Sequence, residues 1–132
     1  MEQVLSVLAS PEILSPSHPS YTSESRIWTT HKDRHPKYVL RPQSLESLSR
    51  LLAALNDSDV PFAVRSGGCG STSSEGVVIS LVAFDQFEWD AEGECVVVGV
   101  GLRWVDVDER MERLGNGYAG RLSLWNSEPG KT

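Results

Sequence analysis

The sequence predicts an α+β domain built around one βαβ unit. Two short apolar runs typical of strands, "KYVLRP" (37–42) and "FAVR" (62–65), flank "SLESLSRLLAALND" (44–57), whose leucines recur at helical spacing. A glycine-rich loop, "RSGGCGS" (65–71), follows the second strand. Strand, helix and strand at this spacing predict parallel strands joined by a right-handed crossover.

The first helix has a clear start and an apolar face. Pro42 ends the preceding strand because it cannot donate a ladder hydrogen bond, and Ser44 is a natural N-cap. The predicted apolar stripe consists of Leu45, Leu48, Leu52 and Leu55, with Leu51 widening it.

The segment after the glycine loop predicts three more strands and a second helix. "VVISL" (77–81) is apolar except for Ser80 and predicts a buried strand, while "FDQFEWD" (84–90) and "ECVVVGVG" (94–101) predict a hairpin around "AEGE". "RWVDVDERMERLG" (103–115) predicts an amphipathic helix that ends at Gly115, a C′ glycine. Its apolar face comprises Trp104, Val107, Met111 and Leu114.

The first 36 residues differ in composition from the rest. They are rich in Ser, Pro and His, which predicts a helical stretch and then an extended arm (1–36) packed on the domain formed by residues 37–132.

Length and charge restrict the classes of function. A chain of 132 residues predicts one domain, and a net charge of −6 without a basic cluster disfavours nucleic acid and anionic membranes as partners. No apolar stretch approaches the roughly 18 residues of a membrane span, and the N-terminus lacks the basic region of a signal peptide. The two cysteines fit a reducing compartment, so a soluble cytoplasmic protein is expected.

The glycine loop is the strongest chemical signal. Successive glycines after a strand can turn backbone N–H groups into one concavity that suits a pyrophosphate, and Arg65 could pair with it. A plain surface turn fits the same spacing equally well. "GNGYAG" (115–120) matches a dinucleotide fingerprint in form only, because it follows a helix instead of a strand.

The remaining reactive side chains give weaker signals. His31 and His35 would share one face of a helix, but Pro36 follows at once, so two solvated histidines and no metal site are expected. Cys69 would be a nucleophile if the loop amides activated it, whereas an inert small residue is the simpler interpretation.

Four segments in order resemble one family, the FAD-linked oxidases with a PCMH-type FAD-binding domain, especially the berberine-bridge-enzyme-like proteins of fungal secondary metabolism. These segments are "YVLRPQSLESLSRLLAAL", "VPFAVRSGGCGS", "GVVISLVAFDQF" and "VVVGVGLRWVDVDERMERLG". The resemblance covers about residues 20–121 and implies the N-terminal part of that flavoprotein fold. It implies that the FAD pyrophosphate loop comprises Arg65, Ser66, Gly67, Gly68, Cys69, Gly70 and Ser71.

The chain departs from the family pattern in two respects. Cys69 stands where the family commonly has a histidine that tethers the flavin, and Gly70 stands where it usually has serine, so no covalent FAD is expected at this site. The sequence also diverges after "YAGR" (118–121), without the rest of the FAD domain or the substrate domain, so a truncated member is expected.

These departures lead to an expected function without flavin. The chain would need no cofactor, bind a small secondary metabolite and steer a redox-neutral cyclisation or isomerisation, as a homodimer that covers the exposed sheet edge. The candidate catalytic residues are Arg65, Cys69, His31, His35, Asp85 and Tyr118. Two alternatives are an oxidoreductase that binds FAD non-covalently, with dimerisation completing its site, and a non-catalytic remnant.

Overall fold

The computed structural model describes residues 1–29, 32–68, 73–92 and 94–115. Within these ranges the chain forms α1 (Glu2–Leu5), α2 (Tyr21–Ser25), α3 (Leu45–Asn56) and α4 (Trp104–Arg113). The strands are β1 (Ile13–Leu14), β2 (Tyr38–Leu40), β3 (Phe62–Arg65), β4 (Val77–Ser80), β5 (Phe87–Asp90) and β6 (Cys95–Val98). A 3-10 turn, Ser10–Glu12, precedes β1.

The main sheet has four strands in the order β1-β2-β4-β3. β2, β4 and β3 are parallel, and β1 is antiparallel to β2. The predicted βαβ unit is confirmed, with α3 connecting two parallel strands, and β4 inserts between them. β4 takes the middle because all four of its residues are buried, as parallel strands covered on both faces require. The α+β class is therefore confirmed.

The two faces of the sheet are covered by different parts of the chain. On one face, Leu40, Val77 and Ile79 pack in a cluster with α1 and α3. On the other face, Val39 and Val78 form a smaller cluster that Tyr21 of α2 covers. The first 25 residues therefore contribute helices to both faces and a strand to one edge. The sequence analysis missed β1, because a two-residue strand has no alternation to detect.

The predicted N-cap of α3 is confirmed, but its apolar face is rotated. The Ser44 hydroxyl accepts a hydrogen bond from the Ser47 amide at 3.1 Å. Leu51 and Leu55 are buried, whereas Leu45 is 74% exposed and Leu52 is 41% exposed. Residues turn by about 100° each around a helix, so a face centred on Leu51 leaves Leu45 and Leu52 at its flank.

The C-terminal elements agree with the prediction in type. β5 and β6 form the expected hairpin, with Phe87 opposite Val98, although both strands are shorter than predicted. In α4, Val107 and Met111 are buried, whereas Trp104 and Leu114 at the ends of the predicted stripe are partly exposed.

Gly115 has the positive φ of 72° that a C′ glycine adopts, and its amide donates to the Glu112 carbonyl at 2.9 Å, as expected of a helix end. None of the described helices has the length and apolar character needed to cross a bilayer.

Candidate functional site at the carboxyl end of the sheet

Three loops meet where the parallel strands β3 and β4 end. The Leu81 amide, just after β4, donates to the Arg65 carbonyl at 2.9 Å. The Ser66 hydroxyl, just after β3, donates to the Val100 carbonyl. The glycine loop, the turn after β4 and the segment before α4 are thus joined. Open sheets with parallel strands bind their ligands at this end, so this junction is the candidate site.

The segment before α4 can approach β4 closely because it contains two glycines. A Cβ on Gly101 would lie 2.3 Å from the Leu81 carbonyl oxygen, and one on Gly99 would lie 2.1 Å from the Phe84 carbonyl oxygen. The Gly101 amide also donates to the Phe84 carbonyl at 2.7 Å. Any side chain at either position would push the loop away from the strand end.

Gly68 is constrained both by its backbone and by Arg65. Its φ is +82°, in the left-handed region that favours glycine. A Cβ there would lie 2.3 Å from Nη2 of Arg65, so the guanidinium lies directly on the Gly68 backbone. The same Nη2 donates to the Ser23 carbonyl of α2 at 3.3 Å, which orients the guanidinium from its other side. Arg65 is therefore part of the glycine loop surface.

A second arginine, Arg103, packs against Gly67, and the sequence analysis missed it as a candidate site residue. A Cβ on Gly67 would lie 2.8 Å from Cγ of Arg103, so the aliphatic stem of Arg103 packs on the loop. Arg103 is the N-cap residue of α4. Its position before the helix is visible in the sequence, but its contact with a residue far along the chain is not.

Asp106 holds the Arg103 side chain. Its Oδ2 accepts from the Arg103 backbone amide at 3.0 Å and from Nε at 3.3 Å, and its Oδ1 accepts from Nη2 at 3.3 Å. Burial opposes the charged form, but the hydrogen bonds and charge of Arg103 and the charge of Arg110 outweigh it, so the pKa of Asp106 is lowered. The carboxylate is charged at neutral pH and fixes the guanidinium beside the loop.

The loop after β2, at the same end of the sheet, is built around two carboxylates. Glu12, which is 6% exposed, accepts hydrogen bonds from the Ala9 amide at 2.9 Å, the Gln43 amide at 2.7 Å and the Ser47 hydroxyl at 2.6 Å. Burial opposes its ionisation, but these hydrogen bonds and the charge of Arg50 outweigh it and lower the pKa of Glu12. Glu12 thus ties the N-terminal segment to the start of α3.

The second carboxylate, Glu24 of α2, pairs with Arg41, which directly follows β2. Their side chains form an ion pair of 2.7 Å that is largely shielded from solvent. This pair fixes α2 over the sheet, and the adjacent Ser23 carbonyl is the acceptor for Arg65. The two loops are therefore linked through α2.

A cavity of about 480 Å³ lies at the opposite, amino ends of the strands. Its lining includes Lys37 before β2, Pro61 before β3 and Gly76 before β4. It is therefore separated from the glycine loop by the length of the strands, and it is not the candidate site.

The comparisons with known proteins agree with this geometry. The sequence profile of the FAD binding domain family matches residues 36–123, which include β2 to α4. The chain belongs to this family. Among curated proteins it is 31% identical over 113 residues to the FAD-dependent monooxygenase macF of Penicillium terrestre, a match that covers 81% of this chain and 21% of macF. It is 28% identical over 82 residues to D-lactate dehydrogenase of Archaeoglobus fulgidus, covering 58% of this chain and 18% of that protein.

Solved structures show the same fold. 6-Hydroxy-D-nicotine oxidase from Arthrobacter nicotinovorans matches with a TM-score of 0.71 and 21% identity over 83% of this chain and 25% of that protein. The berberine-bridge-like protein 1 of Physcomitrella patens matches with a TM-score of 0.65 and 16% identity, again over 83% and 25%. The expected resemblance is confirmed, and the chain spans about a fifth of the length of its curated relatives.

The expectation that the chain needs no cofactor is wrong. The chain belongs to an FAD binding domain family, and its relatives include FAD-dependent monooxygenases. Cysteine at position 69 removes only a residue that could tether the flavin, and the Arg-Ser-Gly-Gly segment (65–68) is intact, so the substitution argues against a covalent link and not against FAD itself. The alternative that the sequence analysis kept open, FAD bound without a covalent link, is better supported than the flavin-free cyclase.

The predicted site residues fall into four groups. Arg65, Ser66, Gly67 and Gly68 lie together in the glycine loop, and Asp85 is exposed in the turn between β4 and β5. His35 is exposed just before β2, where its Nδ1 lies 3.8 Å from Oδ2 of Asp33. Because that is the amino end of the sheet, His35 and Arg65 do not share a site. The remaining predicted residues, His31, Cys69, Gly70, Ser71 and Tyr118, lie outside the described residues.

The described residues also give an answer about metal ions. Within residues 1–29, 32–68, 73–92 and 94–115, no three or more His, Cys, Asp or Glu side chains are grouped so that they could hold one.

Proposed function

We propose that this chain supplies the diphosphate-binding part of the FAD site in an FAD-dependent oxidoreductase, and that it binds FAD without a covalent link. The observation that carries the proposal is the pair Gly67–Gly68, each glycine in contact with an arginine side chain, at the carboxyl end of β3. Because glycine has no side chain, two consecutive glycines allow a phosphate to approach the backbone closely. Guanidinium groups recognise phosphate oxygens.

The residues fit the chemistry of the diphosphate group. Arg65 lies on the loop with its guanidinium oriented by the Ser23 carbonyl, so it loses little freedom when it binds an anion. The left-handed backbone at Gly68 turns the chain sharply after the strand, as loops that wrap phosphates do. The role of these residues is to bind and orient the cofactor.

FAD, when bound, supplies the redox chemistry by accepting two electrons from an organic substrate. The relatives include a monooxygenase and a D-lactate dehydrogenase, so the proposed substrate is a small organic metabolite. The proposal assigns the contacts with the flavin ring and with the substrate to protein beyond the described residues.

The open edge at β3 is where such additional protein would pack. In the described sheet β3 is an outer strand, and Phe62 and Val64 on one of its faces are 47% and 45% exposed. A second copy of the chain or further protein added there would bury this apolar surface. Homodimerisation thus remains part of the proposal. Sedimentation with and without FAD tests it, and a monomer under both conditions would contradict it.

The test of the proposed function uses two flavins that differ in their phosphate groups. The purified chain is mixed with FAD or with FMN, which lacks the diphosphate, passed through a desalting column and examined by absorbance. We expect flavin absorbance to stay with the protein after FAD and not after FMN, and acid precipitation to release the FAD into the supernatant. Failure to retain FAD, or equal retention of FMN, would contradict the diphosphate role; flavin left in the precipitate would contradict non-covalent binding.

A further inference from the structure

Arg103 is a cation in the candidate site to which the sequence motif assigns no role. The position that a Cβ on Gly67 would take lies 2.8 Å from Cγ, 3.6 Å from Cδ and 3.8 Å from Cβ of Arg103. The stem of the side chain thus lies along the loop backbone. Gly67 and Gly68 are consecutive, so Arg103 and Arg65 contact neighbouring peptide units of the same loop.

The guanidinium of Arg103 is held in place and still accessible. Asp106 accepts hydrogen bonds from Nε and Nη2 of Arg103. Nη1 of Arg103 has no hydrogen-bond partner among the described residues. The side chains of Arg103 and Asp106 are 54% and 35% exposed. An exposed ion pair contributes little stability, so sharing the guanidinium with a second anion costs little. The geometry of a partly engaged, fixed guanidinium suits a ligand phosphate.

The surrounding backbone also favours an anion. Arg103 caps the N-terminus of the ten-residue helix α4, whose first amides give this end a partial positive charge. The loop that carries it is fixed to β4 through the Gly101 amide and the Phe84 carbonyl. The guanidinium therefore sits on a rigid support next to the glycine loop.

We propose that Arg103 is a second diphosphate-binding arginine of this site, and that Asp106 is the residue that positions it. The inference rests on the proposed function, because it takes FAD as the ligand. Arg65 and Arg103 would each contact phosphate oxygens across the glycine pair. ADP, which carries the same diphosphate, would use both arginines in the same way.

The test compares Arg103→Gln with Arg113→Gln. Arg113 lies in the last turn of the same helix, is paired with Glu109 at 4.0 Å and is exposed, so the control removes an equal charge. We expect R103Q to weaken both FAD and ADP by roughly tenfold, as the loss of a charge-assisted hydrogen bond does, and R113Q to leave both within about twofold. Circular dichroism checks that both variants are folded.

The outcomes separate the two proposals. If the wild type binds neither FAD nor ADP, the proposed function fails. If the wild type binds both and R103Q behaves as R113Q does, only the proposed role of Arg103 is contradicted, and the proposed function stands. A loss for FAD without a loss for ADP also contradicts it, because Arg103 would then act on the flavin part. If R103Q does not fold, R103K replaces it: this variant keeps the stem and charge and should bind more weakly than wild type but with the same dependence on salt.

Asp106 is tested through Arg103. Asp106→Asn should weaken FAD binding several-fold in the wild-type background and have no further effect in the R103Q background, because its role requires the guanidinium. An equal loss in both backgrounds would show that Asp106 acts on the structure of the loop instead.

Discussion

The two loops that leave the carboxyl ends of β2 and β3 lie at the same end of one sheet but differ in the side chains that surround them. The loop after β2 contacts carboxylates from the chain itself: Glu12 accepts from Gln43 and Ser47, and Glu24 pairs with Arg41. The loop after β3 consists of two glycines in contact with Arg65 and Arg103. Carboxylates of the chain thus hold one loop, and two arginine side chains line the other.

Glu12 and the ion pair of Glu24 and Arg41 form a structural anchor, whereas the loop after β3 is the proposed ligand site. Glu12, a buried carboxylate that accepts three hydrogen bonds, and the shielded ion pair of Glu24 and Arg41 stabilise one arrangement of the chain. Guanidinium groups that lie on glycines, one of them about half exposed, can accept an anion without displacing a side chain from the core. At this end of the sheet one loop therefore holds the N-terminal segment in place, and the other is the proposed site for the cofactor diphosphate.

The largest loss of stability is expected from a substitution of Glu12 in the anchor. Glu12→Ala leaves the Ala9 and Gln43 amides and the Ser47 hydroxyl without their acceptor in a buried location. We expect a loss of about 3 kcal/mol in the free energy of unfolding, measured by urea denaturation. The FAD affinity of the protein that remains folded should not change. A loss below about 1 kcal/mol would show that Glu12 is not an anchor.

The ion pair of the anchor should matter more than an exposed one. Glu24→Gln removes the partner of the shielded Arg41 and should cost about 2 kcal/mol of stability. Glu109→Gln breaks the exposed pair with Arg113 and should stay within about 0.5 kcal/mol. Equal effects in the same denaturation experiment would mean that shielding does not distinguish the two pairs.

A substitution in the glycine loop should change the affinity for FAD more than it changes stability. Gly68→Ala introduces a Cβ at a φ of +82°, 2.3 Å from Nη2 of Arg65, and should weaken FAD by at least about tenfold. Gly115→Ala is the matched control, because Gly115 has a φ of +72° and nothing lies within 4 Å of its added Cβ. It should cost about 1 kcal/mol of stability and leave FAD affinity unchanged. Calorimetric titration measures the FAD affinity of both variants, and urea denaturation measures their stability. An equal loss of affinity in the two variants would show that the loop is not part of the site.

The smallest effect is the pH dependence of the anchor. The pKa of Glu12 is lowered in the folded chain, so its contribution to stability is present above the unfolded pKa of about 4.3 and is lost as the pH falls through the folded pKa. Glu12→Gln removes this titration. The stability gap between wild type and E12Q should therefore shrink when urea denaturation is moved from about pH 7 to about pH 3. A constant gap would contradict the lowered pKa.

The sequence predicted the elements that local patterns determine. The leucine spacing located α3, Ser44 marked its start, Gly115 marked the end of α4, and the run at 77–81 predicted a buried strand, although not its place in the sheet. Each of these signals lies within a few residues, so no knowledge of distant contacts was needed. The family resemblance then predicted that the Arg-Ser-Gly-Gly segment belongs to a phosphate loop, and this assignment stays a prediction.

The features that the sequence did not reveal depend on contacts between distant residues. Glu12 meets Gln43 and Ser47 across 31 and 35 positions, and nothing in its neighbourhood indicates a buried carboxylate. Arg103 meets Gly67 only because the loop before α4 packs on the end of β4. The outward turn of Leu52 likewise depends on which face of α3 the sheet covers. Local periodicity cannot supply these relations.

The most direct test of the account is a backbone amide NMR titration of the chain with FAD. If the loop after β3 binds the diphosphate and the loop after β2 is an anchor, amide signals should shift at Ser66–Gly68 and in the first turn of α4, and those of residues 43–47 should stay in place. Shifts concentrated at residues 43–47, or around the cavity at Lys37 and Gly76, would contradict the account.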